Sequence, residues 1–173
     1  MKDIFLIRHG RQCSKLCNVD VSLDESGRKQ AELAGKRLIS YQLEKLYCSQ
    51  LIRAKETAEI IGRFVNLPVE EVADIEEIHF GGFTGKTDDR IRMEYAEFRK
   101  ERASHKEDLP YPEGGECGRD VVKRVMPKIK QICQREENRV AIVTHGGVIR
   151  SVCADILHTC LLYTSPSPRD AHE

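Results

Sequence analysis

The chain has 173 residues, and its 28 Lys and Arg are balanced by 28 Asp and Glu, so its formal net charge is zero. That length suits one domain with a real core. The charge balance offers no basic footprint for nucleic acid or a membrane surface, and no apolar run approaches the length of a membrane span.

Met1-Lys2-Asp3 leads straight into Ile4-Phe5-Leu6-Ile7, which leaves no room for a secretory leader. The four apolar residues predict a strand buried on both faces. Arg8, His9 and Gly10 follow at once, which puts the charged pair at the carboxyl edge of a sheet, where open α/β sheets bind ligands. Gly10 is expected to let the backbone turn sharply and approach whatever is bound. After a polar loop, Ser22-Leu23-Asp24-Glu25 matches a capping box. Gly27 is expected to break the first turn, with the helix running from about Arg28 to Ser40 and Ala31, Ala34 and Leu38 facing inward. Leu46-Tyr47-Cys48 predicts a second short strand ending in Ser49.

The next helix carries Ala54, Ala58, Ile61 and Val65 at helical spacing and stops near Asn66, before Pro68. Arg53 sits in its first turn, where positive charge opposes the macrodipole and a bound anion would account for it. A strand is predicted within Val69 to Ile75. Glu76 to Gly85, with three glycines and two aromatics, reads as a shaped loop, and a charged helix is predicted from Thr87 to Ser104. Residues 80–115 together suggest a lid over the sheet edge. A long helix follows over Glu116 to Glu136, with Val122, Val125, Ile129 and Ile132 inward and Pro127 bending it or delaying its start.

Val140-Ala141-Ile142-Val143-Thr144-His145-Gly146-Gly147 repeats the design of the first strand, an apolar run ending in His and Gly. Val148, Val152 and Ile156 mark the apolar stripe of a last helix. Two strands of one type can place His9 and His145 side by side. From Cys160 the periodicity stops, and Pro166 and Pro168 predict no sheet strand, so 1–159 is the expected domain and 160–173 an unstructured, foreign tail. The border strand is then expected to be missing, and the open edge to favour self-association. The seven cysteines are scattered and form no CxxC, which suits reduced thiols in a cytoplasmic protein. Cys13 and Cys17 could join His9 around a metal, but no His/Cys cluster has zinc spacing.

Strands alternating with helices predict an α/β chain folded as a three-layer α/β/α sandwich with a mainly parallel central sheet. Its carboxyl edge would gather Arg8, His9, Arg53, Glu77 and His145, an anion pocket suited to a phosphoryl group. At these residues the chain resembles the histidine phosphatase superfamily, which includes phosphoglycerate mutases. The likeness runs from Ile4 to about Leu157 in five blocks: Leu-Ile-Arg-His-Gly, Cys48 to Ala58, Glu77 to Gly85, Gly114-Gly115-Glu116 and Thr144 to Gly147.

The resemblance implies a metal-independent phosphomonoester phosphatase acting on a small phosphorylated metabolite, without a cofactor. His9 would take the phosphoryl group as phosphohistidine. Arg8, Arg53 and His145, with Gly10 and Gly146, would bind the phosphate. Glu77 would protonate the leaving oxygen and then help activate water. A mutase, or a catalytically silent phospho-ligand binder, is the alternative. The chain departs from the family pattern after Gly10, where Arg11-Gln12-Cys13-Ser14-Lys15 stands and Lys15 takes the position of the usual Asn. Oligomeric state is open.

Overall fold

The computed structural model describes residues 2–104 and 107–158; the tail from Cys160 lies outside the described residues. Its elements alternate as the sequence pattern requires: β1 (Asp3–Arg8), α1 (Glu25–Leu38), β2 (Lys45–Ser49), α2 (Ile52–Val65), β3 (Val69–Val72), α3 (Asp88–Glu94), α4 (Ala96–Ala103), α5 (Gly118–Cys133), β4 (Arg139–Thr144) and α6 (Gly146–Ile156). The described strands form one parallel sheet in the order β1-β4-β2-β3. Among the described residues no helix is long and apolar enough to cross a membrane.

Successive strand side chains point to opposite faces, so each strand feeds two cores. Leu46, Cys48, Ala141 and Val143 pack with Ala54, Ala58 and Ile61 of α2 on one face. Tyr47, Val140 and Ile142 pack with Val121, Val125 and Ile129 of α5 and with Val148 and Val152 of α6 on the other. The three layers are therefore the expected sandwich. β1 differs from expectation: Ile4 to Ile7 are only half-buried, because β4 is the one described neighbour of β1.

Local departures have local causes. The N-cap of α1 is Asp24, whose carboxylate accepts from Gly27 N at 2.7 Å, two residues later than the Ser22 box. Gly27 does not break the helix. It lets the first turn of α1 lie against the loop after β1, since a Cβ there would sit 2.1 Å from Arg11 O. A Cβ on Gly10 would likewise meet Gly27 O at 2.4 Å, so Gly10 answers to close packing. The predicted Thr87–Ser104 helix is broken at Tyr95, whose hydroxyl lies between Gly82 O (3.1 Å) and Glu113 Oε1 (2.7 Å) and accepts from Lys86 Nζ. Those contacts fix a backbone turn that helical pattern alone does not show. α5 runs through Pro127 as one helix, and Val121 rather than Val122 is buried. Ile156 stands 57% exposed, outside the stripe formed by Val148 and Val152.

The segment from Phe80 to Tyr111 has its own small core. Phe83 packs on Tyr95, Phe98 and Tyr111, with ring centroids 4.8, 5.8 and 5.2 Å away, and Tyr111 stacks on Phe80 at 4.7 Å. Tyr95 and Phe98 thus pack within this segment, while Phe80 reaches the cleft described next.

Candidate active site

The strand order explains the site. β4 lies between β1 and β2, so the carboxyl ends of three strands stand side by side. Arg8 pairs with Thr144, His9 N donates to Thr144 O at 2.9 Å, and the His9 and His145 rings come within 5.1 Å. Cys48 pairs with Val143, which brings Ser49 level with Thr144, one residue before His145, and Ser49 Oγ lies 2.8 Å from His145 Nε2. Ser49 is completely buried.

His9 is held in one tautomer by its neighbours. Its Nδ1 lies 2.7 Å from Gly10 O, and a carbonyl can only accept, so Nδ1 carries the proton. Arg53 Nε donates to His9 Nε2 at 3.3 Å, and a guanidinium can only donate, so Nε2 keeps its lone pair. Arg53 is itself 2% exposed. Its other nitrogens donate to Val19 O (3.1 Å) and Asn18 Oδ1 (2.8 Å). Burial pulls its pKa down from the usual value, against the opposing pull of Glu77 and Asp20. One turn along α2, Thr57 Oγ1 donates to Arg53 O and accepts from Gly10 N, which ties Arg53 to the His9 loop.

Glu77 leaves the loop after β3 and reaches the N-terminus of α6. Its Oε1 accepts from Ile78 N and Gly147 N, both at 2.9 Å. Desolvation raises its pKa, and the Ile78 N–H and the Arg53 and Arg150 charges do not cancel that shift. Gly147 is needed for this approach, because a Cβ there would sit 2.4 Å from Glu77 Oε1. His145 is driven well below its ordinary pKa, first by burial and then by the neighbouring His9 and Arg53, so it is neutral. Its Nδ1 has no hydrogen-bond partner among the described residues.

Arg8, His9, Arg53 and Glu77 line one cleft of about 570 Å³ with Asn18, Lys15 and Phe80. His145 lies behind His9, fully buried and outside the cleft lining. Gly10 and Gly146 do not line the cleft either; Gly146 leaves room for the Arg8 guanidinium, 3.3 Å from where its Cβ would be. Asn18, in a left-handed conformation at φ 46°, takes the place beside Arg53 that position counting gives to Lys15. Ser49 and Thr57 escaped the sequence reading, although Ser49 ends an apolar strand and Thr57 lies four residues after Arg53 on one helix face. Burial pushes the Cys17 thiol up to about 11. Among the described residues no group of three His, Cys, Asp or Glu is placed to hold a metal ion.

The profile of the histidine phosphatase superfamily (branch 1) matches residues 4–164. The chain belongs to that superfamily. The match includes the first residues of the segment that the lost periodicity set apart. A phosphoglycerate mutase-like protein 4 of Arabidopsis thaliana is 32% identical over 87% of this chain and 69% of its own length. A metal-independent phosphoserine phosphatase of the same plant is 33% identical over 87% of this chain and 66% of its own length. The solved mycobacterial glucosyl-3-phosphoglycerate phosphatase superposes with a TM-score of 0.80 at 28% identity, covering 88% of this chain and 78% of that one. Most of these names are phosphatases, so this histidine phosphatase superfamily member groups with phosphatase enzymes.

Proposed function

We propose that this histidine phosphatase hydrolyses small phosphomonoesters through a phosphohistidine on His9 Nε2, without a metal ion. The observation that carries the proposal is the fixed tautomer of His9, with its lone pair facing Arg53 inside the cleft. A neutral imidazole needs no general base to act as a nucleophile at neutral pH. In the proposed reaction Arg53 and Arg8 turn their donors to the phosphoryl oxygens, and Nε2 forms the P–N bond as the P–O bond to the leaving group breaks. Glu77, whose pKa burial raises, gives its proton to the leaving oxygen. Water then attacks phosphorus, Glu77 takes back a proton, and phosphate and free His9 are released. His145 would shape the pocket from behind His9 as a neutral group, adding no charge.

The short lid over residues 80–115 favours a hydrolase over a mutase, and the relatives named for phosphoserine and glucosyl-3-phosphoglycerate make phosphorylated acids the first compounds to test. The six described cysteines are all free, which suits a reducing cytoplasm. The experiment is alkaline quenching with radiolabelled phosphomonoester. Wild-type protein should retain base-stable label and His9→Ala none, with EDTA changing neither label nor turnover. Hydrolysis of an aryl phosphate by His9→Ala at the wild-type rate would remove His9 from the mechanism. Rapid isomerisation of a phosphoglycerate without phosphate release would favour the mutase.

A further inference from the structure

The Gly114-Gly115-Glu116 block has no part in the chemistry above. We infer that Glu116 and Arg124 form a clamp that positions Glu77, an inference that rests on the proposed role of Glu77 as the acid. Arg124, on α5, binds Glu116 through two parallel bonds, Nε to Oε1 at 2.7 Å and Nη2 to Oε2 at 2.8 Å. Its remaining donors go to consecutive turns of the acid loop: Nη1 to Asp74 O (3.1 Å) and Glu76 O (2.9 Å), Nη2 to Glu77 O (3.1 Å). Glu116 holds the far side of the same loop. Its Oε2 accepts from His79 N at 2.9 Å, and its backbone N donates to His79 O at 2.8 Å.

Two side chains thus fix the backbone on both sides of Glu77, at 74, 76, 77 and 79. Gly115 of the block lets the segments touch. A Cβ on Gly115 would lie 2.8 Å from His79 O, and Gly81, at φ +53°, faces Pro112 O with no room for a Cβ. Both charged side chains are 23% exposed, so the pair is neither a loose surface bridge nor a sealed one. The planar fork of Arg124 makes five contacts that a lysine ammonium cannot reproduce. Glu77 needs such a frame because its carboxyl must meet both the Gly147 N–H and a leaving oxygen, and a displacement near 1 Å costs on the order of 10²-fold in rate.

The test separates positioning from folding by the leaving group. An alkyl phosphate needs a proton on its departing oxygen, and a nitrophenyl phosphate hardly does. kcat/KM is measured with both esters for wild type, Glu77→Gln, Arg124→Lys and Glu116→Gln, with a thermal melt of each. Glu77→Gln should lower the alkyl value by about 10² or more, the usual share of acid catalysis, and the nitrophenyl value far less. Arg124→Lys and Glu116→Gln should show the same split, with a loss of roughly tenfold or more on the alkyl ester. Should Arg124→Lys fail to fold, the nearly isosteric Glu116→Gln carries the test. Equal loss on both esters, or loss on neither, overturns the clamp while Glu77→Gln retains its split. Absence of a split in Glu77→Gln itself overturns the acid and the clamp together.

Discussion

Gly147→Ala probes the approach of α6 to Glu77 with a single methyl group. The added Cβ would stand 2.4 Å from Glu77 Oε1 and 2.8 Å from Ile78 Cγ2, about 1 Å inside the carboxylate's ordinary van der Waals contact. Either the carboxyl or the N-terminal turn of α6 must give way by that distance, and the 2.9 Å bond from Gly147 N to Oε1 is lost or lengthened. A shift of about 1 Å in a catalytic group lowers the rate by roughly 10²-fold, equivalent to about 2.7 kcal/mol in the barrier. Helix propensity works the other way, favouring Ala over Gly by up to about 1 kcal/mol, and so offsets part of the cost of the clash. The assay is kcat/KM on an alkyl phosphomonoester alongside urea unfolding. A Gly147→Ala protein with wild-type turnover would refute the claim that the backbone of α6 fixes the acid.

Ser49→Ala should destabilise the fold by about 1–3 kcal/mol, because it removes the 2.8 Å partner of a buried ring whose other nitrogen has none among the described residues; an unchanged urea midpoint would contradict this. His145 stays neutral when folded while the unfolded chain titrates near 6.5, so its contribution to stability is complete above that pH and falls as the pH drops below it, by at most about 1.4 kcal/mol per unit. The stability gap between wild type and His145→Asn, measured by urea titration from pH 7.5 to 5.5, should therefore narrow on acidification. Inorganic phosphate at a hundred times its Kd should stabilise the protein by about 2.7 kcal/mol, and no rise in Tm at saturating phosphate would mean that the cleft does not take the group.

Much of the fold was legible because its signals are local. β1 and β4 are apolar runs cut off by His and Gly, and the stripes of α2 and α5 fall at helical spacing. The departures are tertiary. The start of α1 is set by Gly27 against Arg11 and by Glu56 accepting from Leu23 N at 2.7 Å, contacts with partners distant in the chain. The break between α3 and α4 is set by the partners of the Tyr95 hydroxyl. At the site, His9, Arg53 and Glu77 could be named because charged residues at strand and helix ends need a reason to be there. Asn18 could not, since its place beside Arg53 depends on how the loop folds back rather than on counting from Gly10. The burial of His145 behind His9 was hidden for the same reason: spacing places a residue along an edge and does not tell which of two neighbours faces the cleft.

The charge balance of the cleft ties these parts to one chemistry. Arg53 is almost completely buried, yet the acceptors it holds are a ring nitrogen, a backbone carbonyl and an amide oxygen, all neutral. The carboxylate of Asp20 comes no closer than 3.9 Å. Beside it, burial raises the pKa of Glu77 and keeps His145 neutral, and among the described residues no carboxylate bonds directly to the guanidinium. A buried charge whose hydrogen bonds all go to neutral acceptors is unfavourable, and hydrogen bonds to an ionised acceptor are roughly twice as strong as those to neutral ones. An arriving phosphoryl group can replace Arg53's bond to His9 Nε2 with a charged one and so release the lone pair in the same movement. In the proposed mechanism the donor that holds His9 Nε2 is then also the donor that binds the substrate, which would couple phosphate binding to exposure of the attacking nitrogen.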